Sequence, residues 1–190
     1  MDDPPPFACT HRPERQTSFL TRSQAVGSLA QTVAASSRPA ILVQALSVLG
    51  AFMIKISDEM REHINNALAN GLPCLVATTS QDGWPHISPK GSVMVYDDTH
   101  LAYWERTKRA TLDNIKHNPK VTVYYRDPAT RQNYRFYGVA TVHGDDPVRK
   151  AVGDRVVPLE RQRDPDWKGL AVLIEVTKIT NLAGETLQED

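Results

Sequence analysis

Two short stretches of this chain place cations, hydroxyls and an imidazole at spacings that suit an anionic ligand. In PHISPKGS (85–92) alternation puts His86, Ser88, Lys90 and Ser92 on one face of an extended segment, with Ile87, Val93 and Val95 on the other. Pro85 and Pro89 remove two of the three amide donors that residues 85, 87 and 89 would aim at one neighbour, so the segment is expected to splay or to border a groove. In ERTKRAT (105–111), Arg106, Lys108 and Arg109 flank Thr107 and lead into a helix beginning near Thr111. Cations and hydroxyls beside a helix N-terminus suit a phosphate, because free amides and the helix dipole favour an anion there. Strand–turn–strand geometry would bring residues 86–90 close to 104–109, so one phosphate could meet both groups.

The elements that must carry these residues follow from local signals. Ser57 before Asp58 and Glu59 caps a helix with an Ile64–Ala67–Leu68 stripe, ended by Gly71. LPCLVATTS (72–80), a QDGW turn, residues 84–96, the turn DDTH and LAYWER (101–106) read as strands joined by tight turns. A short helix spans Thr111–His117 and stops at Asn118-Pro119. KVTVYYRD and NYRFYGVATVHG pair across PATRQ. Residues 147–155 are a candidate helix, 158–169 a charged loop, and 170–182 a last long strand. About six mostly antiparallel strands with few crossovers predict a mainly β, α+β domain: a closed or partly closed barrel with a few short helices.

Tyr103, Trp104, Tyr124, Tyr125, Tyr134, Phe136 and Tyr137 fall on successive strands. Those that alternate outward call for a flat ring ligand or a partner subunit.

Composition removes other classes. The 22 basic and 22 acidic residues leave a formal net charge of zero, so no global field recruits nucleic acid or an acidic membrane. Cys9 and Cys74 cannot form a disulfide framework or a zinc site, which fits a reducing cytoplasm, and no histidine spacing indicates a metal. The phosphate-binding glycine motifs, G-x-S-x-G and H-E-x-x-H are all missing. Asp97, Asp98, Asp145 and Asp146 fall in turns, where aspartate serves the backbone. Residues 1–52 read as an extension outside the domain: Pro-rich and Ser/Thr/Ala-rich sequence, expected to be disordered over 1–38, then an apolar run over 40–54. That run of 15 residues, with Gln44 inside, is shorter than the ~20 of a membrane span. Met53 is a candidate start of translation, with the domain occupying 53–190.

From Gly83 to Val142 the order of features (an Asp-Gly turn, P-x-[IV]-S-P, a basic turn, N-[IL]-x-x-N-P-x-V, Y-R-D-P-A, Y-R-F-Y-G) resembles the pyridoxamine 5′-phosphate oxidase-like, FMN-binding split-barrel superfamily. The likeness covers roughly 57–182. It implies a six-stranded split barrel, a homodimer, and FMN or a deazaflavin in a groove between subunits. By position, His86, Ser88 and Lys90 match the strand along the flavin, and Trp104, Arg106, Thr107, Lys108 and Arg109 the segment around its phosphate. Asn133 and Arg135 match flavin contacts of a following strand. Thr111 stands where many relatives have a lysine, which shifts phosphate contacts onto the arginines and Lys108. The chain ends NLAGETLQED, without the Arg-rich segment with which the oxidases grip their substrate, so pyridoxamine phosphate oxidation itself is not expected. The resemblance implies an FMN-dependent oxidoreductase or flavin reductase on a small substrate, with NAD(P)H a candidate reductant. The alternatives are a deazaflavin-dependent reductase on the same fold, a flavin- or haem-binding module without turnover, or an interaction domain whose groove is a dimer seam.

Overall fold

A computed structural model describes residues 54–190; the expectations for residues 1–52 fall outside them. Helix α1 (Asp58–Asn66) starts as read, with the Ser57 hydroxyl accepting from the Met60 amide at 3.2 Å, and it buries Met60 and Ile64. Strand β1 (Cys74–Thr79) turns through Gly83, at φ +86°, into β2 (Pro85–Lys90). Then follow β3 (Met94–Val95), β4 (His100–Glu105), α2 (Ala110–His117), β5 (Lys120–Arg126) and β6 (Asn133–His143). Helices α3 (Pro147–Asp154) and α4 (Pro158–Gln162) precede β7 (Leu170–Thr180) and β8 (Thr186–Glu189).

The strand order β2-β1-β5-β6-β7-β4-β3 is antiparallel throughout, with β8 beside β7. Its two extremes, β2 and β3, are joined by residues 91–93 alone. A link that short reaches about 14 Å when extended, so the sheet must curl until its ends nearly meet. The expected mainly antiparallel split barrel is present, with eight strands rather than six. The extra ones arise because Gly91–Val93 divides 84–96 into β2 and β3, and because β8 pairs with the end of β7. Residues 158–162, read as loop, form α4 behind Pro158 at its first turn.

Inside the curl lie Val76, Leu101, Tyr103, Val123, Tyr125, Phe136, Ile174 and Ile179, all at 1% exposure or less. The opposite parity of β4 and β7 (Ala102, Trp104, Ala171) packs with Val152 and Val156 from α3 and its exit. Of the aromatic set, Tyr103, Trp104, Tyr125, Tyr134 and Phe136 are buried, and Tyr137 is exposed.

The edge strand reverses one expectation. β2 pairs with β1 in unbroken register from Pro85 to Lys90, so it is not splayed; its prolines face the free edge, where no donor is needed. Its polar residues turn inward: Lys90 is 9% exposed, while Ile87 is 64% and neighbouring Trp84 72% exposed. The alternation was right, and of the two expected outcomes, splaying or bordering a groove, the second holds: Ser88 and Lys90 line a cavity, and Lys90 meets an acid there.

Curvature at the middle of the sheet needs a close approach. The register of β6 on β7 slips between Tyr137 and Gly138, and a Cβ on Gly138 would stand 2.3 Å from the Glu175 carbonyl oxygen. Gly138→Ala is expected to lower the urea midpoint by an amount equivalent to about 1–3 kcal/mol, the cost of overpacking; an unchanged midpoint would show that the bulge relaxes freely.

Candidate functional site

The two ends of the curled sheet are bridged by charge. The Lys90 ammonium, at the end of β2, donates to Glu105 Oε2 at the end of β4, and lies 5.3 Å from the centre of the Tyr103 ring. Alternation along β4 dictates this, since Glu105 shares the inner parity of Leu101 and Tyr103 and is 1% exposed. A carboxylate so placed needs a cation and further donors. Oε1 of Glu105 accepts from the Thr107 amide (3.0 Å), the Thr107 hydroxyl (2.7 Å) and the Lys108 amide (3.1 Å). Burial alone would raise the Glu105 pKa, but the bonds from Lys90 and Thr107, with the charge of Lys90, outweigh it and hold the carboxyl below its usual range. The turn 105–108 thus folds around its own acid, with Lys108 at φ +50°.

Beside this pair lies a cavity of about 260 Å³, walled by Ser88, Lys90, Ser92, Trp104, Arg106 and Thr107, with Glu160 and Arg163 closing one side. Ser92 ties the split from the other direction: its hydroxyl accepts from the Trp104 amide (3.0 Å) and donates to the Trp104 carbonyl (3.2 Å). Glu160, 7% exposed, accepts from Arg106 Nε at 3.3 Å and from Arg163 Nη1 at 2.6 Å. The two cations expected to share one phosphate, Lys90 and Arg106, therefore border one cavity, and each already has a carboxylate.

A second group lies further along β2. His86 Nε2 is 3.3 Å from Thr111 Oγ1 in the first turn of α2, and Asn114 on the same helix donates to Thr78 Oγ1 at 3.0 Å. Arg109 occupies the N-cap of α2 without bonding its first-turn amides through its side chain. His86 and Lys90 are four residues apart on one inward face, roughly 13 Å along the strand.

Asn133 and Arg135 join neither group. Asn133 donates to the Arg131 carbonyl at 3.0 Å, and Arg135 Nη1 to the carbonyls of Asn181 (2.7 Å) and Leu182 (3.2 Å), with its guanidinium over Tyr124. Glu105, Glu160 and Arg163 had drawn no role from the sequence. Glu105 was legible there, since period two from Leu101 and Tyr103 sends it inward; Glu160 carried no local signal. Asp97 and Asp146 serve the backbone as expected, Asp97 bonding the Thr99 and His100 amides and Asp146 capping α3. Among the described residues no cluster of His, Cys, Asp or Glu could hold a metal, and no helix is long and apolar enough to cross a membrane.

A curled antiparallel sheet whose split is lined by cations, hydroxyls and an indole defines a split-barrel protein with a polar cleft. The family model described as pyridoxamine 5′-phosphate oxidase matches residues 60–180, and the chain belongs to that family. Among solved structures it is similar to HupZ of Group A Streptococcus, at 27% identity and TM-score 0.58 over 71% of this chain and 99% of that one. A single-residue variant of HupZ matches at 30% identity and TM-score 0.57, over 67% and 99%. An FMN-binding protein of Nostoc punctiforme related to pyridoxamine 5′-phosphate oxidase shares the fold, at 18% identity and TM-score 0.53 over 80% and 87%. No curated protein matches this chain.

Replacing Glu105 by Gln would leave the Lys90 charge buried without a counter-ion, and is expected to cost about 3–5 kcal/mol of unfolding free energy near neutral pH. The native carboxyl titrates below its unfolded value, so the stability it contributes is full above the ordinary glutamate range and fades as pH falls through the depressed folded pKa. The gap between wild type and Glu105→Gln in urea melts should therefore narrow below about pH 4. A gap independent of pH would show that the ion pair is not its source.

Proposed function

We propose that this chain is an FMN-dependent oxidoreductase acting on a small substrate as a homodimer. The observation that carries the reading is the inward face of β2. It offers a ring-sized polar cleft at Ser88–Lys90 and an anion site at His86–Thr111, on one strand and roughly 13 Å apart. An elongated ligand with a planar head and an anionic tail fits that spacing. The family name, and the FMN-binding description of the Nostoc protein, point the same way.

Because Glu105 fills the amide turn at 107–108 and Glu160 engages Arg106, the phosphate belongs further along, against the first turn of α2. His86, Arg109, Thr111 and the uncapped amides of α2 would hold it. Lys90 and Arg106, already compensated, would line the ring as hydrogen-bond donors of fixed orientation, with Trp104 as its apolar wall. The flavin, when bound, supplies two-electron hydride chemistry, and the residues around it bind, orient and exclude water.

A cavity of about 260 Å³ falls below the ~300–1,000 Å³ of sites that enclose a whole ligand, so a second wall is required. Exposed Ile87 on β2, with Trp84 just before that strand and Tyr137 and Val139 on β6, forms an apolar outer surface of the kind a second copy covers. Placement in the cytoplasm rests on cysteine usage: Cys74 is free and buried, with its thiol pushed up to about 12 by burial.

In a titration followed by flavin fluorescence, His86→Ala with Arg109→Gln is expected to weaken FMN at least about tenfold, since each charge-assisted bond to phosphate contributes about 1.5–3 kcal/mol. Unchanged affinity would put the phosphate elsewhere, and preference for a deazaflavin would move the chain to the other reductase class. NAD(P)H oxidation by the FMN-loaded protein then tests turnover. Separately, Ile87→Glu should convert a dimer to a monomer by light scattering and release FMN. A dimer that persists with FMN bound would assign the interface to another face.

A further inference from the structure

Behind Trp104, on the side away from the β2 cleft, a second cavity of about 330 Å³ opens between α3, α4 and the segment before β7. Its walls are Trp104, Trp167, Arg149, Arg161, Lys150 and Asp154. The two indoles meet edge to face, with centroids 5.4 Å apart at 77°, and form a right-angled aromatic corner. Each carries a guanidinium: Arg149 lies 5.1 Å from the Trp104 ring and Arg161 4.2 Å from the Trp167 ring.

The charges do not cancel there. Lys150 pairs with Asp154 at 2.6 Å, but among the described residues neither Arg149 nor Arg161 has a carboxylate within ion-pair distance. Arg149 is locked in place, donating through Nε to the Gly169 carbonyl at 3.0 Å and through Nη2 to the Trp167 carbonyl. Among the described residues the Arg161 guanidinium has no hydrogen-bond partner, although its backbone amide donates to the Val157 carbonyl at 3.1 Å. This contrasts with the first cavity, where Lys90, Arg106 and Arg163 all contact acids.

The corner is also held at a conformational cost. Trp167 adopts φ +53°, a left-handed conformation that a bulky side chain rarely takes. Trp104 is fixed through its indole N–H, which donates to Asp164 Oδ2 at 2.8 Å, and the same oxygen accepts from the Gly169 amide at 2.8 Å. Packing of α3 explains why Trp104 is buried. It also gives partly buried Trp167 a seat against Gly153, but it does not explain an arginine laid over that indole with no carboxylate among the described residues within ion-pair distance.

We propose that this corner is a binding site for an organic anion with a flat apolar body, an aromatic carboxylate being the simplest member. The ring would lie against Trp167 and the carboxylate would take the free N–H groups of Arg161 and Arg149. The volume of about 330 Å³ admits about eleven heavy atoms, judged from the ~30 Å³ that one water occupies in the liquid. Trp104 walls both cavities, so on the flavin reading above an anion bound here is an effector acting on a wall of the cleft; binding itself does not rest on that reading.

The test uses the full chain without added flavin, with benzoate and its neutral isostere benzamide as probes. In a ¹H–¹⁵N spectrum Trp84→Phe and Trp167→Phe assign the indole N–H signals of the three tryptophans. Benzoate is expected to shift the Trp104 and Trp167 signals saturably while Trp84 stays still, and benzamide to bind at least about tenfold more weakly. Arg161→Gln, at an exposed position, should weaken benzoate by about tenfold with the rest of the spectrum unchanged. No saturable shift, equal binding of benzamide, or undiminished affinity in Arg161→Gln would each overturn the proposal. FMN affinity is measured on the same sample, so failure of the flavin reading and failure of this site appear as separate results.

Discussion

A sheet that curls until its first and last strands nearly touch, without hydrogen-bonding them, must seal the gap with side chains. In this protein the seal is the ion pair of Lys90 and Glu105, with Ser92 bridging to the Trp104 backbone beside it. The chain makes the closure unavoidable, because only residues 91–93 connect the two extremes of the strand order. Other local features follow from this one contact. β2 turns its polar face inward because Lys90 must reach Glu105, and Ile87 is therefore turned out. The 105–108 turn takes its shape because Glu105, once buried, needs donors beyond the lysine.

An ion pair at such a seam is weak evidence of stability, since withdrawing two charges from water costs several kcal/mol apiece. Its clearer consequence is orientation. The pair holds the ends of β2 and β4 at one spacing, leaves a cleft beside them, and lines it with donors whose charge is already compensated. Glu160 does the same for Arg106 from α4. Lys90 and Arg106, read from the sequence as sharing one phosphate, thus have internal acids, whereas His86 meets the Thr111 hydroxyl further along β2, where the proposed reading puts the anion. Among the described residues Arg149 and Arg161 have no acid within ion-pair distance, which is why the corner between the tryptophans differs in character from the cleft.

The residues that could be read ahead of the structure were those governed by local rules. Ser57 as a cap, Gly83 in a left-handed turn, Asp146 at a helix start and the antiparallel order of short strands all depend on neighbours within a few positions. Though read as splaying or a groove border where they mark the edge of the sheet, the prolines of β2 were legible as missing donors. The choice of inner face was less so, because Ile87 and Lys90 compete for it and the winner depends on what stands across the split. Helix α4 was missed for a related reason. Its five residues have no periodic apolar stripe, and they are ordered by the burial of Glu160 against Arg106, which lies 54 positions away.

From the amino-acid sequence alone came the class of fold, the alternation along β2 and the residue types available for an anionic, planar ligand, because alternation, turn chemistry and proline's missing donor act over short distances. Tertiary structure alone decided which cations are spent on internal acids and which stay free. That allocation depends on pairs such as Lys90–Glu105, 15 residues apart, and Arg106–Glu160, and they meet only when the sheet has curled. Coulomb attraction in a poorly solvated seam is set by distance through space, and separation along the chain carries no information about it.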